Sequence, residues 1–425
     1  MDIRISDNEL RDDLIERFKR YVKIDTTSDR HSKTFPTTRN QFNLAYLLEK
    51  ELKHLGVADV NIDKNAFLIA RIPSVPEKSG QPAANNPPVI GLMAHIDTAS
   101  DVSGKNVHPV LHENYDGKPI KLNSSITLTP EEFPQLNKYR GDTIITTDGT
   151  TLLGADDKAG VAEIMTAVRF LTEHPEIPHG KLEIIFTPDE ETGLGMSNFP
   201  LKRVKSKYCY TVDGGEEGSI EIESFNAYKT RLIFHGRSIH IGYAKGKLIN
   251  ALNMARDFLN MLPGAETPEA TDERFGYYCP LEISGSVDQV YLEVFIRDFD
   301  DKEAQRRVEV IKSIASTIEK IYPGSRIDVK PEKQYSNMKQ YLDKEPKIIN
   351  ILERAVKKAG AVPLKKYIRG GTDGSRLSEM GIPTPNIFAG GHNFHSRLEW
   401  VPVSSMIKAA KTIINLIVMW GEEDK

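Results

Sequence analysis

Histidine and carboxylate side chains are concentrated in five short segments that lie far apart in the chain. The segments are HIDT at residues 95–98, GADDKAG at 154–160, PDEE at 188–191, DGG at 213–215 and GHNFH at 391–395. Imidazole combined with carboxylate, without thiolate, suits zinc, cobalt or manganese in a hydrolytic site. Two such ions a few ångströms apart need a carboxylate that bridges them. The residue types therefore indicate metal-dependent hydrolysis.

One of these segments alone would be weak support for a metal site. A single His or Asp at the end of a strand is more often a cap, a turn residue or part of a solvated loop. Five such segments at successive connections are much harder to explain as turns. We therefore treat them together as one candidate site.

Apolar runs precede four of the segments, and we interpret each run as a buried strand. The runs are residues 89–94, 182–186, 208–212 and 385–389. Helical patterns such as residues 160–171 separate them, which indicates an α/β domain with a mostly parallel sheet and helices on both faces. In such a sheet, ligands bind beyond the carboxyl ends of the strands. The candidate ligands should therefore meet in one cleft.

Two amphipathic helices are predicted near the start of the chain. Apolar residues recur at four-residue spacing over residues 10–22 and again over residues 44–55. Gly56 follows the second pattern and suits the position just after a helix. The stretch at residues 73–88 contains SVPEKSGQPAANN, which predicts a solvated loop.

The pattern changes between about residues 225 and 335. The predicted order there is a strand (228–234), a helix (249–262), two strands (278–284 and 289–297), a helix (304–321) and a strand (326–330). This βαββαβ order is typical of a ferredoxin-like unit. We therefore predict a catalytic domain in two parts, residues 1–224 and 336–425, interrupted by an inserted lid domain at residues 225–335.

Composition and charge argue against several other classes of function. The formal net charge of -4 offers no field that would hold nucleic acid or an anionic membrane. No run of about 18 apolar residues is free of charge, and the start of the chain lacks the features of a secretory signal. Cys209 and Cys279 are too few for a disulfide framework or a thiolate cluster. We expect a soluble cytoplasmic protein that binds neither nucleic acid nor a membrane.

Several motifs resemble those of a known family. The segments that carry the resemblance are HIDT at residues 95–98, GADDKAG at 154–160, PDEE at 188–191, TVDGG at 211–215 and RGGTDG at 369–374, together with FPTT at 35–38 and IRDFD at 296–300. They resemble the signature segments of the M20 metallopeptidase family. The match is tighter to the tripeptide aminopeptidases of that family than to the family as a whole, and it covers nearly the whole chain. The resemblance implies a zinc-peptidase-like α/β domain and two Zn²⁺ ions per subunit.

The resemblance also implies how the protein ligands are shared between the two ions. Asp156 would bridge them. His95 and Asp213 would complete the protein ligands of one ion, and Glu191 and His395 would complete those of the other.

Two further carboxylates would act beside the metals. The resemblance implies that Glu190 is the general base for the metal-bridging water. Asp97 would orient the His95 imidazole from the side away from the metal. We also expect a cis peptide bond between Asp156 and Asp157, as in the family.

For the rest of the substrate, the resemblance implies four contacts. His240 would donate to the substrate carbonyl or the developing oxyanion, and Arg297, with Asn337 and Arg369, would hold the C-terminal carboxylate of the peptide. The alternative interpretation is that both arginines form structural ion pairs. Ile241 follows His240 where the family usually has Pro, a departure that would alter the backbone of this loop.

His392 is a second imidazole close to His395, at a position where the family often has an aromatic residue. We favour His395 as the ligand because its spacing after Asn393 and Phe394 matches the family. We interpret His392 as a supporting or solvated residue.

The implied function is removal of the N-terminal residue from tripeptides. Two alternatives stay open: a related M20 hydrolase, such as a carboxypeptidase or an N-acyl amino-acid deacylase, and a metal-binding module without activity. The presence of both Glu190 and Glu191 argues against the silent module, because a structural metal site has no use for an unligated base. The expected partner is a short peptide, and a homodimer through the inserted domain is left open.

Overall fold

The computed structural model describes residues 5–75 and 87–422. The loop predicted at residues 73–88 therefore lies largely outside the described residues.

Internal contacts divide the chain into two compact units. The first comprises the described residues of Met1–Ile222, Tyr341–Lys366 and Thr372–Lys425. The second comprises Glu223–Gln340 and Tyr367–Gly371. The second unit starts and ends within a few residues of the insertion predicted at 225–335, and it additionally includes the short segment Tyr367–Gly371.

The strands and helices of the described residues follow in chain order. The strands are β1 (Asp59–Ile62), β2 (Leu68–Ile72), β3 (Ile90–His95), β4 (Val110–His112), β5 (Ile120–Lys121), β6 (Thr127–Leu128), β7 (Ile144–Thr146), β8 (Leu182–Thr187), β9 (Tyr208–Gly214), β10 (Ser219–Ser224), β11 (Asn226–His235), β12 (Tyr277–Gly285), β13 (Gln289–Asp298), β14 (Arg326–Tyr335), β15 (Leu364–Ile368), β16 (Asn386–Phe388) and β17 (Trp400–Pro402). The helices are α1 (Asp7–Val22), α2 (Gln41–His54), α3 (Ala155–Glu173), α4 (Ala251–Met261), α5 (Asp301–Ile321), α6 (Lys339–Leu342), α7 (Pro346–Lys358), α8 (Asp373–Glu379) and α9 (Val403–Glu422).

The main sheet has the spatial order β1-β2-β8-β3-β9-β16-β10-β15. Its centre is parallel, since β3 pairs in parallel with β8 and β9, and β9 does so with β16. The pairs β1–β2, β2–β8 and β16–β10 are antiparallel. Every residue of β3 and β8 is buried, because both faces of a central strand are covered by the rest of the domain. The four predicted buried strands and the mostly parallel α/β sheet are confirmed.

The helices at the start of the chain also confirm the prediction. Their apolar stripes, including Leu14, Phe18, Leu44 and Leu48, are fully buried in the core of the first unit. Gly56 has a φ of 85° and follows the end of α2. Glycine adopts this left-handed conformation without a Cβ penalty, so it suits the end of the helix.

The helix α9 has the length and apolar composition that would let it cross a membrane. Most of that helix, 83% of the apolar window, is buried inside the protein. It packs against α3 and α7 in the first unit. This burial is typical of the core helix of a globular domain.

The helix α3 passes very close to the end of β9 at Gly160. A Cβ atom at this position would lie 1.8 Å from the backbone oxygen of Val212. Only glycine fits there, because any side chain would overlap the strand. The close approach brings the start of α3, with Asp156, beside the end of β9, with Asp213.

The second unit contains an antiparallel sheet in the order β12-β13-β11-β14. Its helices α4 and α5 pack against this sheet, and apolar residues such as Phe258 and Ile311 are buried between them. The chain order βαββαβ with this strand order is the ferredoxin-like arrangement. The predicted ferredoxin-like architecture is confirmed.

Candidate metal centre

Five elements bring the candidate ligands to the carboxyl edge of the main sheet. His95 is the last residue of β3, and Asp213 lies near the end of the neighbouring strand β9. Glu191 lies in a 3₁₀ turn after β8, and His395 follows β16. Asp156 is the second residue of α3. Because parallel strands end at the same edge, these side chains meet in one place.

One group of ligands consists of His95, Asp156 and Asp213. The Nε2 atom of His95 lies 2.9 Å from Asp156 Oδ1 and 3.6 Å from Asp213 Oδ1. The three ligand atoms all lie within 4.8 Å of one another. One imidazole and two carboxylates form a donor set that suits a divalent cation such as zinc.

The other group consists of Asp156, Glu191 and His395. The Nε2 atom of His395 lies 3.3 Å from Asp156 Oδ2 and 3.1 Å from Glu191 Oε2. Asp156 therefore presents Oδ1 to one group and Oδ2 to the other. A carboxylate that bridges two cations is arranged in this way.

The spacing of these atoms fits a pair of cations. Ligand atoms bound about 2.0–2.2 Å from a tetrahedral zinc ion lie about 3.3–3.6 Å from one another, which is close to the distances found here. Among the described residues, Glu191 Oε1 is buried without a hydrogen-bond partner. A buried carboxylate oxygen in this state is costly unless a cation compensates it. The residues present therefore fit two divalent cations.

Burial makes these carboxylates costly to ionise. It raises the pKa of Glu191 to about 7 and the pKa of Asp213 to about 6, and the charge of Asp156 adds to both effects. Burial also acts to raise the pKa of Asp156, but hydrogen bonds with His395 and His95 outweigh it and lower that pKa. The site therefore gathers negative charge that a divalent cation would compensate.

The imidazoles respond to the same charges in the opposite direction. Hydrogen bonds with Asp156 and Glu191 raise the pKa of His395 to about 11. Burial acts to lower the pKa of His95, but its carboxylate neighbours outweigh burial and raise it. A metal ion must displace these protons when it binds.

The carboxylate of Asp97 contacts two segments of the candidate site, the end of β3 and the turn after β8. Its Oδ1 atom lies 3.3 Å from His95 Nδ1. The same carboxylate accepts hydrogen bonds from the backbone N–H groups of Glu190, at 3.0 Å, and Glu191, at 3.2 Å. One side chain therefore orients an imidazole and also holds the turn that carries two further site residues. The sequence predicted only the first of these contacts.

Glu190 belongs to neither of the ligand groups found in the described part of the chain. Burial raises the pKa of its carboxyl group well above the ordinary value, and the charges of Asp213, Asp373 and Glu191 add to this, while His95 opposes it. A carboxylate with a raised pKa accepts a proton readily.

The peptide bond between Asp156 and Asp157 is cis, which confirms the expectation. Asp157 is fully buried, and its carboxylate accepts a hydrogen bond from the backbone N–H of His95 at 3.2 Å.

Asp189 is a supporting residue that sequence reasoning missed. Its carboxylate accepts hydrogen bonds from the backbone N–H of Thr37, at 2.7 Å, and from Gln41 Nε2, at 2.6 Å. The contact joins the FPTT motif at 35–38 to the PDEE motif at 188–191. Both motifs were recognised, but nothing in the sequence showed that they touch.

Glu399 and Asp373 are further buried carboxyl groups that were not predicted as site residues. Burial raises the pKa of each to about 7. Asp373 lies in the recognised motif RGGTDG, whereas Glu399 follows His395 by four residues. An acidic residue at the end of a loop resembles a solvated turn residue, so its burial could not be read from the sequence.

His392 belongs to neither ligand group. Its ring stacks on Trp400 with the centroids 4.0 Å apart and the planes 11° from parallel. Burial lowers the pKa of this imidazole to about 4. His392 is half-buried and packs on Trp400 at the base of the loop that carries His395, which fits the supporting role.

Arg369 and Asn337 lie in the second unit and hold its own loops. Arg369 donates hydrogen bonds to backbone oxygens within residues 271–275. Asn337 accepts from the backbone N–H of Ser224 and donates to the backbone oxygen of Phe299. These contacts stabilise the unit, and a role of either residue in substrate binding stays a prediction.

Arg297 and His240 also lie in the second unit. Arg297 is buried, donates from Nη1 to the backbone oxygen of Ile296, and lies over the ring of Phe295. Within the described residues, its contacts are with backbone oxygens and aromatic rings, and no carboxylate forms an ion pair with it. His240 is exposed, and its Nδ1 accepts a hydrogen bond from the N–H of Gly242. Their predicted substrate contacts stay predictions.

Replacing Asp97 by Asn should weaken zinc binding about 10–100-fold, the usual cost of losing a supporting partner of metal ligands. Asn keeps one acceptor oxygen, so one of the N–H groups of Glu190 and Glu191 would lose its partner. Calorimetric titration of metal-free protein with zinc measures this change.

Asp63→Asn is the matched control for that substitution. Asp63 likewise accepts backbone N–H bonds, from Asn65 and Phe67, in a turn that carries no candidate ligand. Zinc affinity should not change in this variant. Unchanged affinity in Asp97→Asn as well would contradict the role assigned to Asp97.

Known proteins resemble this chain over nearly its whole length. The family model described as Peptidase family M20/M25/M40 matches residues 146–418. Peptidase T of Geobacillus thermodenitrificans (strain NG80-2) is 46% identical over 97% of this chain and 100% of that protein. Peptidase T of Bacillus subtilis (strain 168) is 46% identical over 96% of this chain and 98% of its own length.

A solved structure is similar over the same extent. The crystal structure of aminopeptidase PepT from Bacillus cereus ATCC 10987 matches with a TM-score of 0.73 at 25% identity, covering 96% of this chain and 98% of that one. The resemblance drawn from the motifs is confirmed. The chain is a peptidase and belongs to peptidase family M20/M25/M40.

Proposed function

We propose that this peptidase removes the N-terminal residue from tripeptides and uses two zinc ions per chain. The observation that carries the proposal is the carboxylate of Asp156, which offers one oxygen to each of two imidazole–carboxylate groups. The relatives named Peptidase T and aminopeptidase PepT support the class of activity. The motif resemblance to tripeptide aminopeptidases supports the substrate length. A cytoplasmic location and a homodimer through the second unit stay predictions.

The proposed metal ligands are those brought together at the sheet edge. His95 and Asp213 would hold one ion, Glu191 and His395 the other, and Asp156 would serve both. When bound, the two ions would lower the pKa of a water molecule and polarise the carbonyl of the scissile bond. The donors, imidazoles and carboxylates without thiolates, suit zinc, cobalt or manganese. Among these ions, the motif resemblance favours zinc.

Glu190 is the proposed general base. Its carboxylate would take a proton from the attacking water and then give that proton to the leaving amine. Three features support this role: it adjoins Glu191, Asp97 holds its backbone, and its raised pKa favours proton uptake.

The limit on peptide length needs a fixed group for the C-terminal carboxylate of the substrate. We keep Arg297 for this role, since its hydrogen bonds to described residues use Nη1 and leave the rest of the guanidinium for a carboxylate. Arg369 and Asn337 are better explained by the loops that they hold. His240 is kept as a donor to the substrate carbonyl.

A comparison of three substrates tests the proposed activity. The enzyme loaded with zinc should release the first residue from a free tripeptide, and cleave a dipeptide and an N-acetylated tripeptide much more slowly. Chelation should abolish release and added zinc should restore it. Preferential cleavage of the N-acetylated peptide would favour a deacylase, and release of the last residue would favour a carboxypeptidase; either result would overturn the proposal.

Separate substitutions of Glu190 and Glu191 distinguish the proposed general base from the proposed metal ligand. Glu190→Gln should lower kcat by about 10²–10⁴-fold, the usual contribution of a general base, and should retain both zinc ions. Glu191→Gln should lose zinc, because its carboxylate is a proposed ligand. Metal content by mass spectrometry and tripeptide turnover measure the two effects. Full turnover by Glu190→Gln would reject the assignment of the base.

A further inference from the structure

Glu399 holds the turn in front of Asp156. Only 1% of Glu399 is exposed. One of its oxygens accepts hydrogen bonds from the backbone N–H groups of Leu153, at 2.7 Å, and Gly154, at 2.8 Å. The other oxygen accepts from the backbone N–H of Asp156 at 3.1 Å. Hydrogen bonds from several N–H groups to one carboxylate are strong, because the acceptor is charged.

The backbone that Glu399 holds is not regular helix. Gly154 has a φ of 81°, and Asp156 has a φ of -83° and a ψ of 103°. The N–H groups in this turn therefore cannot all find partners within α3. The buried carboxylate of Glu399 supplies those partners and so fixes the backbone conformation of the turn.

Glu399 also belongs to the loop that carries His395. His392 and Trp400 close this loop through two backbone hydrogen bonds, at 2.9 Å and 3.1 Å, with the His392 ring stacked on Trp400. Within the loop, Asn393 Nδ2 donates to the backbone oxygen of Leu398 at 3.1 Å. The loop is therefore closed at its base and braced inside, so Glu399 has a fixed position.

We propose that Glu399 is a positioning residue that joins the loop of His395 to the turn of Asp156, and so sets the distance between two ligands of the same metal ion. This inference rests on the proposed metal site. His395 Nε2 lies 3.3 Å from Asp156 Oδ2, and the two residues belong to separate segments. Glu399 links these segments through hydrogen bonds from the backbone to its side chain, and it belongs to neither ligand group found in the described residues.

The substitution Glu399→Gln tests this role. The amide keeps one acceptor oxygen and puts an NH₂ group opposite at least one of the three N–H donors. The turn should shift, and because Asp156 serves both ions, affinity for both should fall. We expect calorimetric titration of the metal-free protein with zinc alone to show about a 10–100-fold weaker affinity.

Glu183→Gln is the matched control. Glu183 is also fully buried and accepts backbone N–H bonds from Lys205 and Ser206, yet it lies in β8 at the end remote from Glu191. Both variants should lose thermal stability, but only Glu399→Gln should lose zinc affinity. Wild-type zinc affinity in Glu399→Gln would overturn the inference. Absence of zinc binding by the wild-type protein would instead overturn the proposed metal function.

A second measurement needs no variant. In metal-free wild-type protein, the amide hydrogens of Leu153, Gly154 and Asp156 should exchange slowly with solvent, because Glu399 already holds them. Hydrogen exchange followed by mass spectrometry or NMR reads this directly. Rapid exchange that slows only when zinc is added would show that the metal orders the turn, and would overturn the inference.

Discussion

The concentration of buried acidic groups at the carboxyl edge of the main sheet is the constraint on which the rest of this structure depends. Carboxylates that lie so close together in a buried environment repel one another, and burial together with the charge of Asp156 raises the pKa of Glu191 to about 7. Two imidazoles contact these groups, but Glu191 Oε1 still has no partner in the described structure. Divalent cations would supply the positive charge that this cluster lacks. Without them, burial of these carboxylates costs free energy.

Further carboxylates stabilise the segments around this cluster by accepting hydrogen bonds from backbone N–H groups. Asp97 accepts the N–H groups of Glu190 and Glu191, Asp189 accepts that of Thr37, and Glu399 accepts those of the turn at Asp156. Asp97 thereby positions His95 and the turn of Glu191, and Glu399 positions the turn of Asp156. Among the described residues, neither Asp97 nor Glu399 belongs to a ligand group. In the proposed function, a site held in this way would have its geometry before the ions bind.

Much of this arrangement could be predicted from the sequence, because the signals were local. Short apolar runs ending in His or Asp predicted β3, β8, β9 and β16, and the metal-ligand types followed at their ends. Asp97 was predicted as a supporting carboxylate, but Asp189 and Glu399 were not, since they act through contacts with residues more than a hundred positions away. A sequence shows that such a residue is acidic and does not show whether it is buried. His392 was ambiguous for the same reason, because its stacking partner Trp400 became apparent only in the folded loop.

The central claim is that the two oxygens of Asp156 serve two different ions. Anomalous scattering at the zinc edge, from crystals grown with zinc, tests it most directly. If Asp156 bridges two zinc ions, two peaks are expected at this sheet edge, one beside His95 and the other beside His395. Each peak should lie about 2.0–2.2 Å from a different oxygen of Asp156. A single peak, or a pair of peaks that leaves Asp156 uncoordinated, would contradict it.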